Sequence, residues 1–183
     1  MRIIVDQDQV LCKWVERVLE WYNEDKGTSF TKNDIGTWDM KMNLGPQSED
    51  FLRSCMRYPD FYKELDEIEG AVRGMKKLVD AGHDVIIATA VPKCAGIAYH
   101  GKLEWIRKHM PWFKLENFVA IQRKSLLSGD ILLDDGPHNI KQWLDTGRQA
   151  VVFDAPWNKE QKATARVKHW NEFIAYVNNS SNF

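Results

Sequence analysis

Hydrophobic positions along this chain switch between short unbroken runs and a helical period. Arg2-Ile3-Ile4-Val5-Asp6-Gln7-Asp8-Gln9-Val10 is an apolar run closing on two aspartates at i, i+2, which predicts a buried strand delivering acids to a sheet edge. Trp14, Val15, Val18, Leu19, Trp21 and Tyr22 then recur at helical spacing, with Glu16, Arg17, Glu20 and Asn23 opposite them. That is an amphipathic helix ending near Lys26-Gly27. Residues 28–60 carry no strong period but are rich in large side chains, among them Phe30, Trp38, Met40, Met56 and Tyr62 just beyond. Thr31 with Asp34 suits a capped turn, Gly45-Pro46 breaks the chain, and Ser48-Glu49-Asp50 opens a helix through about Met56.

From Gly70 the pattern becomes regular. Ala71, Met75, Leu78 and Val79 predict a helix closed by Gly82, and residues 84–89 a buried strand. A helix follows over 98–109, with Leu103 and Ile106 on its apolar face, then strands at 118–121 and 131–135, the latter stopped by Gly136-Pro137. A short helix over 138–144, a strand over 149–153 and a last helix over 163–177 complete the series, before a polar tail at 178–182 expected to fray. Strands alternating with helices predict right-handed β-α-β units. The fold class is therefore α/β, a Rossmann-like parallel sheet with helices on both faces. The aperiodic stretch makes residues 13–68 a small helical insertion after the first strand, and residues 1–12 with 69–183 the core domain.

Composition adds exclusions. A chain of 183 residues, 44% apolar and 28% charged, is an ordinary globular domain, and its net charge of −1 favours neither a nucleic acid polymer nor an anionic membrane. There is no apolar run of transmembrane length, and a strand starting at Arg2 leaves no room for a leader, so the cytoplasm is the expected compartment. Cys12, Cys55 and Cys94 form no Cys-x-x-Cys and fit reduced thiols. The histidines lack a metal spacing, so zinc is not expected.

The candidate chemistry lies at the strand ends. Asp6 and Asp8, Thr89, Lys124, and Asp134-Asp135 each fall at or just beyond an apolar run, and parallel strands bring those ends to one rim. Four carboxylates gathered there repel one another unless a cation sits between them, and hard oxygen ligands suit Mg²⁺. Thr89 offers a hydroxyl and nearby backbone N–H groups, and Lys124 a point charge, for phosphate oxygens. One aspartate can attack phosphorus while its neighbour two residues on protonates the leaving oxygen. Taken singly, each has a plainer reading: Thr89 ends a strand, Lys124 is a solvated lysine, and Asp134-Asp135 before Gly136-Pro137 is turn chemistry. Their shared order and placement favour the joint one.

In that order, Val5-Asp6-Gln7-Asp8-Gln9-Val10, Ile86-Ile87-Ala88-Thr89-Ala90, Lys124, and Gly129-Asp130 through Asp134-Asp135 resemble the four motifs of the haloacid dehalogenase superfamily. The stretch from Lys124 to Asp135, the helix start at Glu69-Gly70-Ala71, and Thr89-Ala90-Val91-Pro92 resemble the 5′(3′)-deoxyribonucleotidases more narrowly. The resemblance implies a Mg²⁺-dependent phosphatase acting on nucleoside monophosphates. It makes Asp6 the nucleophile and Asp8 the general acid, then base. The metal would be held by Asp6, the Asp8 carbonyl and Asp135, with Asp134 in support, and the phosphate by Thr89, Ala90 and Lys124. The insertion becomes a cap, in which Trp14 faces the base and Trp38 and Met56 are further substrate contacts; Lys93 and Arg123 are candidates for additional ones. Core packing of the insertion is the alternative for each aromatic. A small nucleotide is the expected partner, with a second copy of the chain, as a homodimer, also admitted. The chain departs from the family at Gln9, where the family usually has glycine, and at Gln7, usually apolar. Three other readings are a phosphatase of the same superfamily acting on another small phosphoester, since the cap and not the fold selects the substrate, a signalling receiver domain, whose pattern keeps no acid pair after the lysine and no such insertion, and a phosphate-binding relative without turnover.

Overall fold

The computed structural model describes residues 1–93 and 95–180. Its sheet has six parallel strands: β1 (Arg2–Val5), β2 (Asp84–Thr89), β3 (Phe118–Ala120), β4 (Ile131–Asp134), β5 (Gln149–Phe153) and β6 (Ala165–Val167), in the order β3-β2-β1-β4-β5-β6. Between β1 and β2 lie α1 (Trp14–Lys26), α2 (Met40–Leu44), α3 (Glu49–Arg57) and α4 (Ala71–Asp80). The remaining helices are α5 (Ile97–His109), α6 (Pro137–Leu144) and α7 (Trp170–Ser180). The central strands are apolar throughout because both of their faces are covered. Ile3, Val5, Ile131, Leu133 and Val151 share a large core with residues of α1, α4, α5 and α7, while Ile4, Leu132, Ala150 and Val152 meet Ile140 and Trp143 of α6. Where α4 meets α7, a Cβ on Gly74 would stand 2.3 Å from the Trp170 ring, so only glycine permits that approach.

The direction in which successive strands are added reverses between β1 and β4, which are parallel neighbours: Val5 is in register with Leu133, and the Asp6 N–H donates to the Leu133 carbonyl at 2.9 Å. This switch point is where an open parallel sheet leaves a crevice outside its strand ends. On the other side Val5 is in register with Ile87, two residues before Thr89.

Four expectations are corrected. The first strand ends at Val5, not Val10, because the N–H groups of Leu11 and Cys12 both turn back onto the Gln7 carbonyl, at 2.8 and 3.1 Å. Residues 163–177 are not one helix: Ala165–Val167 pair with β5, and α7 starts only at Trp170, after the Lys168 N–H has found the Glu172 carboxylate at 2.6 Å. Val167 is buried on either account, so its apolar spacing was common to strand and helix. Helix α5 buries Ala98, Gly101, Lys102, Trp105 and Ile106, leaving Leu103 only partly covered. Residues 178–180 belong to α7 rather than to a frayed tail; residues 181 and 182, like Cys94, lie outside the described residues. Gly82 takes the left-handed conformation of a helix end, φ 81°, as expected, and Thr31 and Asp34 do cap a short turn. No helix among the described residues is long and apolar enough to cross a membrane.

Candidate active site

The acids converge as the strand ends require. Oxygens of Asp6, Asp134 and Asp135 all lie within 4.8 Å of one another, and all three residues are buried. Lys124 reaches them from the turn before β4, its Nζ 2.7 Å from Asp6 and 2.5 Å from Asp134, with 1% of the residue exposed. Asp134 is held further by the Gly136 N–H at 2.7 Å and by the Asn139 amide. A carboxylate so fully satisfied fixes the lysine rather than seeking a further partner. Asp135 differs: Trp157 Nε1 donates to its Oδ2 at 3.1 Å, while its Oδ1 is buried with no hydrogen-bond partner.

The Asp8 carboxylate stands apart from this trio and has its own lysine. Lys102, fully buried on α5, donates to Asp8 Oδ2 at 2.6 Å and to Thr89 Oγ1 at 3.0 Å, with its ammonium 4.6 Å from the centre of the Tyr62 ring. Each aspartate of the pair after β1 therefore carries a separate cation, Lys124 on Asp6 and Lys102 on Asp8.

Burial pushes the Asp6 carboxyl above its ordinary range, with Asp134 adding to the shift and Lys124 opposing it. Asp8 is raised by burial as well, against the pull of Lys102. Asp135 is raised furthest, by burial and then by Asp134 and Asp6. For Lys124 burial pulls down, but Asp134 and Asp6 outweigh it and hold the ammonium above its usual value. Clustered acids with displaced pKa values and an unpartnered buried oxygen are what a hard divalent cation relieves, so the oxygen donor set fits Mg²⁺.

Above the acids a cavity of about 320 Å³ opens between the sheet edge and the inserted helices. Asp8, Ala90 and Asp135 reach it from the sheet side, and Trp14, Trp38 and Met56 from the insertion. Asp6, Thr89 and Lys124 are buried and do not line the cavity. Trp14 stands edge-on to Phe61 at 6.2 Å, and Trp38, 45% exposed, to His138 at 5.3 Å. Lys93 and Arg123 are exposed and do not line the cavity.

Gln9 shows what the missing glycine leaves behind. It is the one non-glycine at positive φ among the described residues, 58°, and is 3% exposed. Its Oε1 accepts from the Val15 N–H at 2.9 Å, closing the first turn of α1, which Lys13 does not cap. Gln9→Ala keeps the left-handed backbone and loses that bond, lowering stability by about 1–2 kcal/mol. Gln9→Gly loses the same bond but relieves the backbone, and stays within about 1 kcal/mol of the parent. Urea unfolding of both variants checks this; equal stabilities for Gln9→Ala and the parent would refute the capping role. Gln7 is buried and donates from its side chain to the Lys102 carbonyl at 3.0 Å, so a polar residue at that position serves α5.

A family profile described as "5' nucleotidase, deoxy (Pyrimidine), cytosolic type C protein" matches residues 1–180. The chain belongs to that family. It is a hydrolase of phosphoric monoesters. A 5′(3′)-deoxyribonucleotidase of Bacillus subtilis is 28% identical over 170 residues, covering 93% of this chain and 94% of that one. A putative 5′(3′)-deoxyribonucleotidase of Staphylococcus epidermidis is 27% identical over 177 residues, covering 97% and 96%. Among solved structures, a HAD family hydrolase from Deinococcus radiodurans with bound phosphate and sodium superposes with a TM-score of 0.68 at 13% identity, covering 98% of this chain and 96% of its own. A putative HAD-hydrolase from Bacillus subtilis bound to magnesium gives 0.60 at 15%, covering 97% and 98%. These likenesses establish the fold as HAD-like.

Proposed function

We propose that this 5′-nucleotidase family member is a Mg²⁺-dependent phosphatase converting deoxyribonucleoside and ribonucleoside monophosphates to nucleoside and phosphate, through an aspartyl-phosphate on Asp6. The observation that carries the reading is the separate pairing of the two aspartates, Asp6 on Lys124 and Asp8 on Lys102, at the base of an aromatic cavity. The names of the related deoxyribonucleotidases support the substrate class. Residues 13–68 act as the cap: Trp14 and Trp38 offer aromatic faces to a base and Met56 an adaptable apolar contact, while the sheet edge takes the phosphate.

In the first half-reaction an Asp6 carboxylate oxygen forms the bond to phosphorus as the ester P–O bond breaks. Protonated Asp8, whose burial favours the neutral form, gives its proton to the departing nucleoside oxygen. In the second, Asp8 takes a proton from water as that water attacks the phosphorus, and Asp6 is released as a carboxylate. Lys124, Lys102, the Thr89 hydroxyl and the backbone at Ala90 neutralise and orient the phosphoryl oxygens. Asp6, the Asp8 carbonyl and Asp135 would hold Mg²⁺, with Asp134 in support; when bound it supplies charge neutralisation at the phosphate. The same reading takes a free nucleotide as partner, and the family's description as cytosolic supports the cytoplasm.

Release of inorganic phosphate from a panel of 5′- and 3′-nucleoside monophosphates, with Mg²⁺ and with EDTA, tests this directly. Turnover of nucleotides above generic phosphoesters, lost in EDTA and restored by Mg²⁺, is expected. Turnover confined to generic phosphoesters would remove the substrate assignment, and metal-independent turnover the role of the acidic trio.

A further inference from the structure

Trp157 belongs to none of the strands or helices that carry the acids; it lies in the turn Pro156–Asn158 after β5, 8% exposed. Its indole N–H can only donate, and it donates to Asp135 Oδ2 at 3.1 Å. The other oxygen of that carboxylate, Oδ1, is buried without a hydrogen-bond partner, and Asp135 is one of the three acids gathered within 4.8 Å. The same turn holds the backbone too: Asn158 Nδ2 donates to the Asp135 and Phe153 carbonyls, both at 2.9 Å, and Asn158 Oδ1 accepts from the Ala155 N–H at 3.1 Å. On its other side the indole is packed by the insertion, with Trp38 at 6.3 Å and the Lys32 ammonium at 5.6 Å from the ring centre.

We infer that Trp157 is a positioning residue for Asp135, occupying Oδ2 so that Oδ1 alone faces a divalent cation. This rests on the acidic trio being a metal site. Mg²⁺ demands near-octahedral geometry and keeps several waters, so it is served by a carboxylate that offers one oxygen in a fixed direction. A carboxylate free to turn would offer both oxygens or neither, and an outer donor that removes this freedom typically changes metal affinity by about 10–100-fold. The plainer role for Trp157, a wall of the cavity, needs the ring but not the N–H.

Trp157→Phe keeps a ring and deletes the donor; Trp157→Leu deletes both. Mn²⁺ binding without substrate, read from the free-ion EPR signal, should weaken about tenfold or more in both variants. At saturating Mg²⁺ the nucleotide KM of Trp157→Phe should stay within about twofold of the parent, separating metal positioning from a disturbed pocket. Unchanged Mn²⁺ affinity in Trp157→Phe, or weakening in Trp157→Leu alone, overturns the inference, since packing and not the N–H would then be responsible. Failure of the parent protein itself to bind Mn²⁺ removes the metal-site reading and the inference with it, an outcome distinct from the other two.

Discussion

Asp6→Asn is expected to reduce phosphate release by at least about 10⁴-fold while leaving the fold intact. The amide is nearly isosteric but lacks the anionic oxygen that bonds to phosphorus, and loss of a nucleophile is not made good by neighbouring groups. The stability effect has the opposite sign. Burial raises the Asp6 pKa, so the folded state binds its proton more tightly than the unfolded state does. Without a bound cation, this group therefore lowers stability as pH rises from the ordinary carboxylate range through the raised value, and the penalty stays above it. Asp6→Asn removes that contribution. At neutral pH in EDTA the variant should melt no lower than the parent, and its advantage should vanish in acid. Single-turnover phosphate release and thermal melts at two pH values check both halves. Residual turnover within about tenfold of the parent would exclude Asp6 as the nucleophile.

Lys102→Met carries the second large effect. The lysine is fully buried and its ammonium links Asp8 to Thr89, the proposed proton donor to the proposed phosphate contact. Methionine preserves length and apolar packing against Tyr62 but withdraws a positive charge from the place where phosphoryl charge develops. Losses of about 10²–10³-fold in kcat are typical for removing one such group. The stability loss should be smaller than the 3–5 kcal/mol common for a broken buried pair, about 1–3 kcal/mol, because the Asp8 side chain is 28% exposed and can take up water. Steady-state kinetics alongside urea unfolding separate the two. A Lys102→Met enzyme within about threefold of the parent in kcat would show that this cation serves packing alone.

Lys102 also marks the boundary of what could be read in advance. Its neighbours on the buried face of α5, Ala98, Gly101, Trp105 and Ile106, stand at helical spacing, so a lysine in register with them was a visible signal of a buried, paired cation. An apolar face drawn through Leu103 and Ile106 leaves the lysine outside it. The error was one of helix rotation, and its partner Asp8 lies 94 residues away, where no local pattern can point. Trp157 and Asn139 were missed for the same reason: a Pro-Trp-Asn turn and an asparagine on a short helix become informative only once they meet Asp135 and Asp134.

The alternation of apolar runs with helical spacing determined the parallel α/β sheet, because strands covered on both faces must be apolar throughout. The acids, Thr89 and Lys124 were legible for a related reason: each ends a strand or follows one closely, and parallel strands bring those ends to a single rim. The stop of β1 and the left-handed backbone at Gln9 go with local hydrogen bonds that an apolar pattern does not show, whereas the division of residues 163–177 into β6 and α7 was settled only by tertiary contacts. So was the assignment of one lysine to each aspartate. Local periodicity fixes which residues are buried, but pairing between distant charges depends on how the buried faces are rotated against one another, and that is decided only when the helices dock.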